Sequence, residues 1–192
     1  MISGPAGSGK TTLCHRLIED QVPHVQRVVT ATTRSPRKGE INNKDYHFFS
    51  EEEFTQKIKE NAFYEYAQVH GAHYYGTVKQ EIREQLANGI DLLINIDVQG
   101  FKSFCDIAEE DPFLDKHLVS VFILPPNLDV LKERLTKRNL DHPEIIERRL
   151  KTAEEEISLH DQYDYCIHTK TRDEDFATFL DIYKKEKSKV RA

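Results

Sequence analysis

The chain has 192 residues, 31% of them charged and 38% apolar, with a formal charge of −6. That length suits one compact α/β unit or a core with small inserts. The acidic balance argues against nonspecific binding to nucleic acid or a membrane surface, and no apolar run approaches the roughly 20 residues that span a bilayer. Taken in chain order, Thr11 to Asp20 reads as a helix with Leu13, Leu17 and Ile18 on one face. Val25 to Thr30 reads as a strand, Thr32 to Asp45 as a polar, basic loop, and Tyr46 to Phe49 as a strand. Ser50 and Glu53 form a capping box that opens a helix through Lys59. Phe63 to His70 is a strand, Gly71 a turn and Tyr74-Tyr75 a short return strand. Thr77, with Gln80 three residues on, is expected to cap a helix that Asn88-Gly89 ends.

The pattern then changes. Leu92 to Ile96 and Leu118 to Leu124 are continuous apolar runs, the mark of strands covered on both faces. A helix from about Gly100 to Glu109 lies between them. Pro125-Pro126 breaks, Asn127 caps, and Leu128 to Lys137 is a helix. His142-Pro143 opens another through about Leu159, Tyr165 to His168 is a last strand, and Glu174 to Lys187 a terminal helix. Strands alternating with helices imply a three-layer α/β core with a parallel sheet. The division expected is a core of residues 1–29 and 78–192, a small mixed α+β insert over 30–77, and a helical lid at about 136–150. Cys14, Cys105 and Cys166 have no metal-type spacing and read as packing residues of a reducing cytoplasm. The nine histidines likewise show no metal spacing. No signal peptide is visible.

One stretch carries specific chemistry. Gly4-Pro5-Ala6-Gly7-Ser8-Gly9-Lys10-Thr11 fits the pattern G-x-x-x-x-G-K-[ST] at every fixed position. Its glycines let successive N–H groups turn toward phosphate oxygens. Lys10 can reach the β- and γ-phosphates, and Thr11 can place a hydroxyl on Mg²⁺. Only Met1, Ile2 and Ser3 stand where a buried strand should precede this loop, so the N-terminus is expected to be incomplete. In the insert, Arg34 and Arg37 lie three apart around Pro36, a fork suited to a dianionic phosphate. The same insert holds Glu40, Asp45-Tyr46, Glu65 and Tyr74-Tyr75-Gly76-Thr77. Arginines in a polar loop are often only solvated, and Tyr46 and Tyr75 suit packing equally well.

With these residues in view, the chain resembles the guanylate kinases nearly from end to end. G-P-A-G-S-G-K-T-T, through Thr12, is similar to the family's phosphate loop. T-T-R-S-P-R-K-G-E, Lys44-Asp45-Tyr46 and Y-Y-G-T resemble its monophosphate-binding domain, I-D-V-Q-G the strand end facing both substrates, and R-L-T-K-R with R-R-L its lid. The resemblance implies transfer of the γ-phosphate of ATP to GMP with Mg²⁺. It implies that Arg34, Arg37, Tyr46 and Tyr75 hold the GMP phosphate, that Glu65 accepts from the guanine N1–H and 2-amino group, and that Thr30 and Thr77 supply hydroxyls to the base. Asp97 would lie between guanine and the metal. Arg134, Arg138 and Arg149 would neutralise the transferring phosphoryl. Thr169 would bond adenine. No protein nucleophile is expected, nor an obligatory protein partner.

The bottom-up chemistry agrees. Guanine presents two adjacent N–H donors on its pairing edge, for which a fixed carboxylate is the natural partner. Three departures stand out: Asn95 where the family has an acid, Asn139-Leu140 with Pro143 in the lid, and His168-Thr169-Lys170 near the adenine. Two rival readings are a related kinase acting on a ribose phosphate and a non-catalytic guanylate-kinase-like interaction module. Because the arginines are divided between insert and lid, catalysis is expected to require closure.

Overall fold

The alternating patterns become nine strands and eight helices in the computed structural model, which describes residues 1–69, 73–137 and 142–190. In chain order these are β1 (Ile2–Ser3), α1 (Lys10–Asp20), β2 (Val25–Arg27), β3 (Ala31–Thr32), β4 (His47–Phe48), α2 (Glu51–Lys59), β5 (Phe63–Val69) and β6 (His73–Val78). There follow α3 (Lys79–Ala87), β7 (Asp91–Leu93), α4 (Val98–Glu110), α5 (Pro112–His117), β8 (Val121–Leu124), α6 (Leu128–Lys137), α7 (Pro143–Ile157), β9 (Tyr165–His168) and α8 (Arg172–Val190). The turn expected at Gly71, the strand end at His70, Arg138 and Asn139-Leu140 lie outside the described residues. Among the described residues no helix is long and apolar enough to cross a membrane.

The chain forms two compact units, Met1–Gln21 with Ile94–Ala192 and Val22–Leu93. The expected insert, residues 30–77, lies wholly inside the second. That unit is larger because β2 pairs in parallel with β7, Val25 opposite Asp91, and α3 packs on β7.

In the first unit β1, β8 and β9 form a parallel sheet in the order β1-β8-β9, and Ile2 also bridges in parallel to Asn95. Val121, Phe122 and Ile123 of β8 are 3%, 0% and 0% exposed. Successive side chains point to opposite faces, so the sheet is covered on both. One cover is α4, whose Val98 and Phe101 meet Phe122 and Tyr163 in one apolar cluster. Asn127 caps α6 through a hydrogen bond from Val130 N–H, as its sequence position implies. Helix α5 was not foreseen; Asp111 Oδ1 accepts from Phe113 N–H and starts it ahead of Pro112. The three cysteines are free, and burial pushes the Cys14 thiol up to about 11, as suits a packing residue.

The second unit carries a four-stranded sheet in the order β4-β3-β6-β5, with α2 against one face. The Ser50–Glu53 capping box is formed in both directions. Phe54 of α2 is fully buried, its ring stacked on Phe63 at 4.4 Å and on Tyr74 at 5.3 Å between centroids. Strand β6 alternates: Tyr74 and Val78 pack toward Phe54, so Tyr75 and Thr77 take the other face. Gly76 fits under that packing because a Cβ there would stand 3.1 Å from Phe54 Cζ and 2.9 Å from Glu65 O. Thr77 was expected to cap α3; it lies in the strand, and α3 starts after Val78 with no side-chain cap. Phe54→Ala should lower stability by about 3–5 kcal/mol in urea denaturation, the range for emptying a buried aromatic site.

Candidate active site

In the first unit the loop between β1 and α1 has the geometry of an anion cradle. Gly4 has φ +135° and runs so close to β8 that a Cβ would meet Ile123 O at 2.5 Å. Gly9 is the N-cap of α1 and supplies no side-chain acceptor, so the first-turn N–H groups face outward at the positive end of the helix. Ser8 is 2% exposed, and its hydroxyl has no hydrogen-bond partner among the described residues. A buried hydroxyl left so costs about 1–3 kcal/mol, which a phosphate oxygen would recover. Lys10 Nζ donates to Gly4 O at 2.6 Å and Pro5 O at 3.0 Å, and so is held inside the loop. Arg134 of α6 reaches the same loop, donating to Gly7 O at 3.3 Å and Ser8 O at 3.4 Å.

Around the cradle, Thr11 Oγ1 accepts from Asn95 Nδ2 at 3.3 Å. The amide that stands in place of an acid therefore still touches the hydroxyl expected on the metal. Asp97 caps α4, its Oδ1 accepting from Gly100 N–H at 2.8 Å. Thr11 and Asp97 are hard oxygen donors, and no group of three or more His, Cys, Asp or Glu able to hold a metal occurs among the described residues. That donor set fits Mg²⁺, which is usually bound by one or two protein oxygens together with phosphates and water. Arg149 lies exposed on α7, and Thr12 on the first turn of α1. Glu156, also on α7, was missed in the sequence. Its carboxyl is raised first by burial and further by Asp97, while Lys10 opposes the shift, so it lies within the field of the cradle.

In the second unit an acid organises the loop that carries Arg34 and Arg37. Arg34 Nη2 and Nη1 donate to the two oxygens of Glu40 at 2.8 and 2.9 Å, and Arg37 N–H donates to Glu40 at 2.6 Å. Nη1 also donates to Ser35 O at 2.7 Å. The guanidinium lies 5.4 Å from the Tyr46 ring centroid and within hydrogen-bonding reach of the Tyr75 hydroxyl. Glu40 raises the Arg34 pKa, and Arg34 in turn, with the Arg37 N–H, holds the Glu40 carboxyl below the usual range. Arg34, Tyr46 and Tyr75 are thus brought together, with Tyr46 and Tyr75 6.1 Å apart between ring centroids. The Arg37 side chain is exposed and joins only through its backbone.

Two residues along β6 from Tyr75, on the same face, Thr77 donates its hydroxyl proton to Glu65 Oε1 at 2.6 Å. Thr77 is 1% exposed and Glu65 half-buried. The Thr30 carbonyl accepts from His47 N–H at 2.9 Å, which ties β4 to the strand that leads from the fork.

The chain matches the guanylate kinase family model over residues 1–186. It belongs to the guanylate kinase family. Across 180 residues it is 44% identical to a guanylate kinase of Maricaulis maris, covering 94% of this chain and 77% of that one. It is 43% identical over 190 residues to a guanylate kinase of Wolbachia pipientis wMel, covering 98% and 90%. It also resembles the crystal structure of guanylate kinase from Anaplasma phagocytophilum, with TM-score 0.65 and 31% identity over 96% of this chain and 83% of that one.

Within that guanylate kinase framework, Glu40 ends the T-T-R-S-P-R-K-G-E run, but the sequence did not reveal its role of holding the Arg34 guanidinium and the Arg37 backbone. Glu40→Gln should weaken GMP by about tenfold or more while leaving ATP binding unchanged, read by titration with each nucleotide. The sign with pH follows from the lowered carboxyl. The fork's contribution is fully present above the ordinary value of about 4.3 and is lost only as the pH falls through the lower, folded-state value.

Proposed function

We propose that the chain transfers the γ-phosphoryl group of ATP to GMP, giving ADP and GDP, with the roles set out below. The observation that carries this reading is the shared face of β6. A phosphate fork (Arg34, Tyr46, Tyr75) and a base-reading acid (Glu65 with Thr77) stand one strand period apart along that face, about 7 Å. A ribose phosphate alone would bring no base N–H to the face of Glu65, which disfavours the sugar-phosphate alternative. The intact glycines and Lys10 disfavour a non-catalytic module.

Glu65 accepts from guanine N1–H and the 2-amino group, and its bond from Thr77 fixes the carboxylate in the orientation required. Adenine would set a ring acceptor against the carboxylate, a penalty that buried polar sites turn into strong discrimination. Thr30 offers a second hydroxyl to the base. Arg34, Arg37, Tyr46 and Tyr75 hold the GMP phosphate. On the donor side the N–H groups of the loop from Gly4 to Thr12, Pro5 having none, cradle the ATP phosphates, and Lys10 exchanges two neutral carbonyl partners for anionic oxygens. The ammonium then trades charge–dipole attraction for charge–charge attraction, so the exchange is favourable. Arg134 has only long bonds to the loop to give up, and with Arg149 and Arg138 it neutralises the phosphoryl group in flight. Thr11 and Asp97 would hold Mg²⁺, which when bound neutralises charge between the β- and γ-phosphoryl oxygens. A GMP phosphate oxygen attacks the γ-phosphorus, the bond to the bridging oxygen breaks, and ADP leaves with that electron pair. The free thiols suit a cytoplasmic setting.

Lys10→Ala should lower turnover by more than about a hundredfold, roughly 2.7 kcal/mol of barrier, with an unchanged far-UV circular dichroism spectrum. Turnover within about tenfold of the wild type would remove Lys10 from the mechanism. Glu65→Gln should weaken GMP by about 2–3 kcal/mol and ATP hardly at all, because the amide sets an NH₂ against a guanine donor. Equal losses for both nucleotides would make Glu65 a structural residue.

A further inference from the structure

The cavity beside the phosphate loop contains an acid that phosphate chemistry does not use. It measures about 310 Å³, and its lining includes Gly9, Thr12, Arg134, Lys137, Arg172 and Asp175. Volumes of about 300 Å³ and more are typical of small-molecule sites. A carboxylate only accepts hydrogen bonds and repels phosphate oxygens, so Asp175 needs a ligand atom that bears a proton.

Its position is fixed. Lys170 N–H donates to Asp175 Oδ1 at 2.7 Å. Arg16 of α1 donates to Arg172 O at 2.9 Å, pairs with Asp173 at 3.0 Å, and lies 4.2 Å from the centre of the Phe176 ring. Helix α1 begins in the loop itself, so the loop and the start of α8 are tied together by one arginine. A carboxylate has about four acceptor sites, and Lys170 uses one of them. Thr169, the residue the family pattern offers to adenine, does not line this cavity; it is 5% exposed and its N–H donates to Leu124 O.

We propose that Asp175 selects the base of the donor nucleotide, accepting a hydrogen bond from the exocyclic 6-amino group of adenine, with Arg172 lying over the base. The inference rests on the reading of the adjoining loop as the ATP phosphate site. A 6-oxopurine would place a carbonyl oxygen against the carboxylate, two acceptors with no proton between them. Adenine and hypoxanthine differ at that edge without a change of shape, so discrimination between them reports the acid directly. Asp175→Asn keeps an acceptor for Lys170 N–H and adds a donor for a 6-oxo group.

The test measures GDP formation from GMP with ATP and with ITP as donors. The wild type should prefer ATP by about tenfold or more in kcat/KM, and Asp175→Asn should reduce that ratio by about tenfold with KM for GMP unchanged. Asp175→Ser, which removes the charge from a shorter side chain, should narrow the ratio in the same direction if the asparagine variant fails to fold. An active variant with an unmoved ratio, or a wild type that uses both donors equally, would overturn the assignment while leaving the phosphotransfer reading intact. A wild type that makes no GDP from either donor would overturn that reading and this assignment with it.

Discussion

An irregularity in the β5–β6 ladder decides which way Glu65 points. Phe63 pairs with Val78 and Glu65 with Thr77, so the register shifts between them. In a regular strand Phe63 and Glu65 would share a face, and Glu65 would project into the cluster of Ala31, Phe54 and Phe63. An unpaired carboxylate buried there would be prohibitive. The shift lets Phe63 and Tyr64 both stay buried, each 4% exposed, while Glu65 turns to the face of Thr77 and Tyr75. Bulges next to functional sites commonly re-aim a side chain in this way. The orientation of Glu65, the small residue at Gly76 and the rings stacked on Phe54 of α2 all depend on that register.

The second requirement is local positive charge on an acidic chain. With a formal charge of −6, the molecule cannot hold anions by its overall field. Three of the cations are instead held by acceptors of fixed geometry: Arg34 by Glu40, Lys10 by two loop carbonyls, and Arg134 by two more. The side chains arrive oriented, and the ordering cost that a flexible lysine or arginine would incur on binding is largely met by folding. Glu40 illustrates the balance. It reduces the positive charge of the fork, yet it lines up both nitrogens of Arg34 and the backbone of Arg37 with one carboxylate.

What the sequence made legible was local. The phosphate loop, the Ser50–Glu53 box, the Asn127 cap and β9 follow from neighbours in the chain, where a few residues determine the backbone. The parts misread depend on distant pairing. Thr77 looks like a helix cap beside Gln80, but the β6 ladder claims it and turns its hydroxyl to Glu65, twelve residues earlier. Residues 22–29 and 78–93 join the second unit through the β2–β7 pairing, which no local pattern announces. Glu65 itself could be named from the order of motifs, but the register shift that aims it could not. Asp175 and Glu156 have no motif at all; they become visible only once α8 and α7 are placed beside the loop.

One carboxylate, fixed by one hydroxyl, is proposed to make guanine the acceptor base. The most direct measurement is ADP release by the wild-type chain with ATP and a panel of acceptors: GMP, AMP and ribose 5-phosphate. Turnover with GMP should be at least about 10⁴-fold above that with AMP in kcat/KM, the discrimination reached by sites that leave a buried polar group unpaired with the wrong substrate. Ribose 5-phosphate should give none above background. Comparable rates with GMP and AMP, or a preference for the sugar phosphate, would contradict that role of the carboxylate.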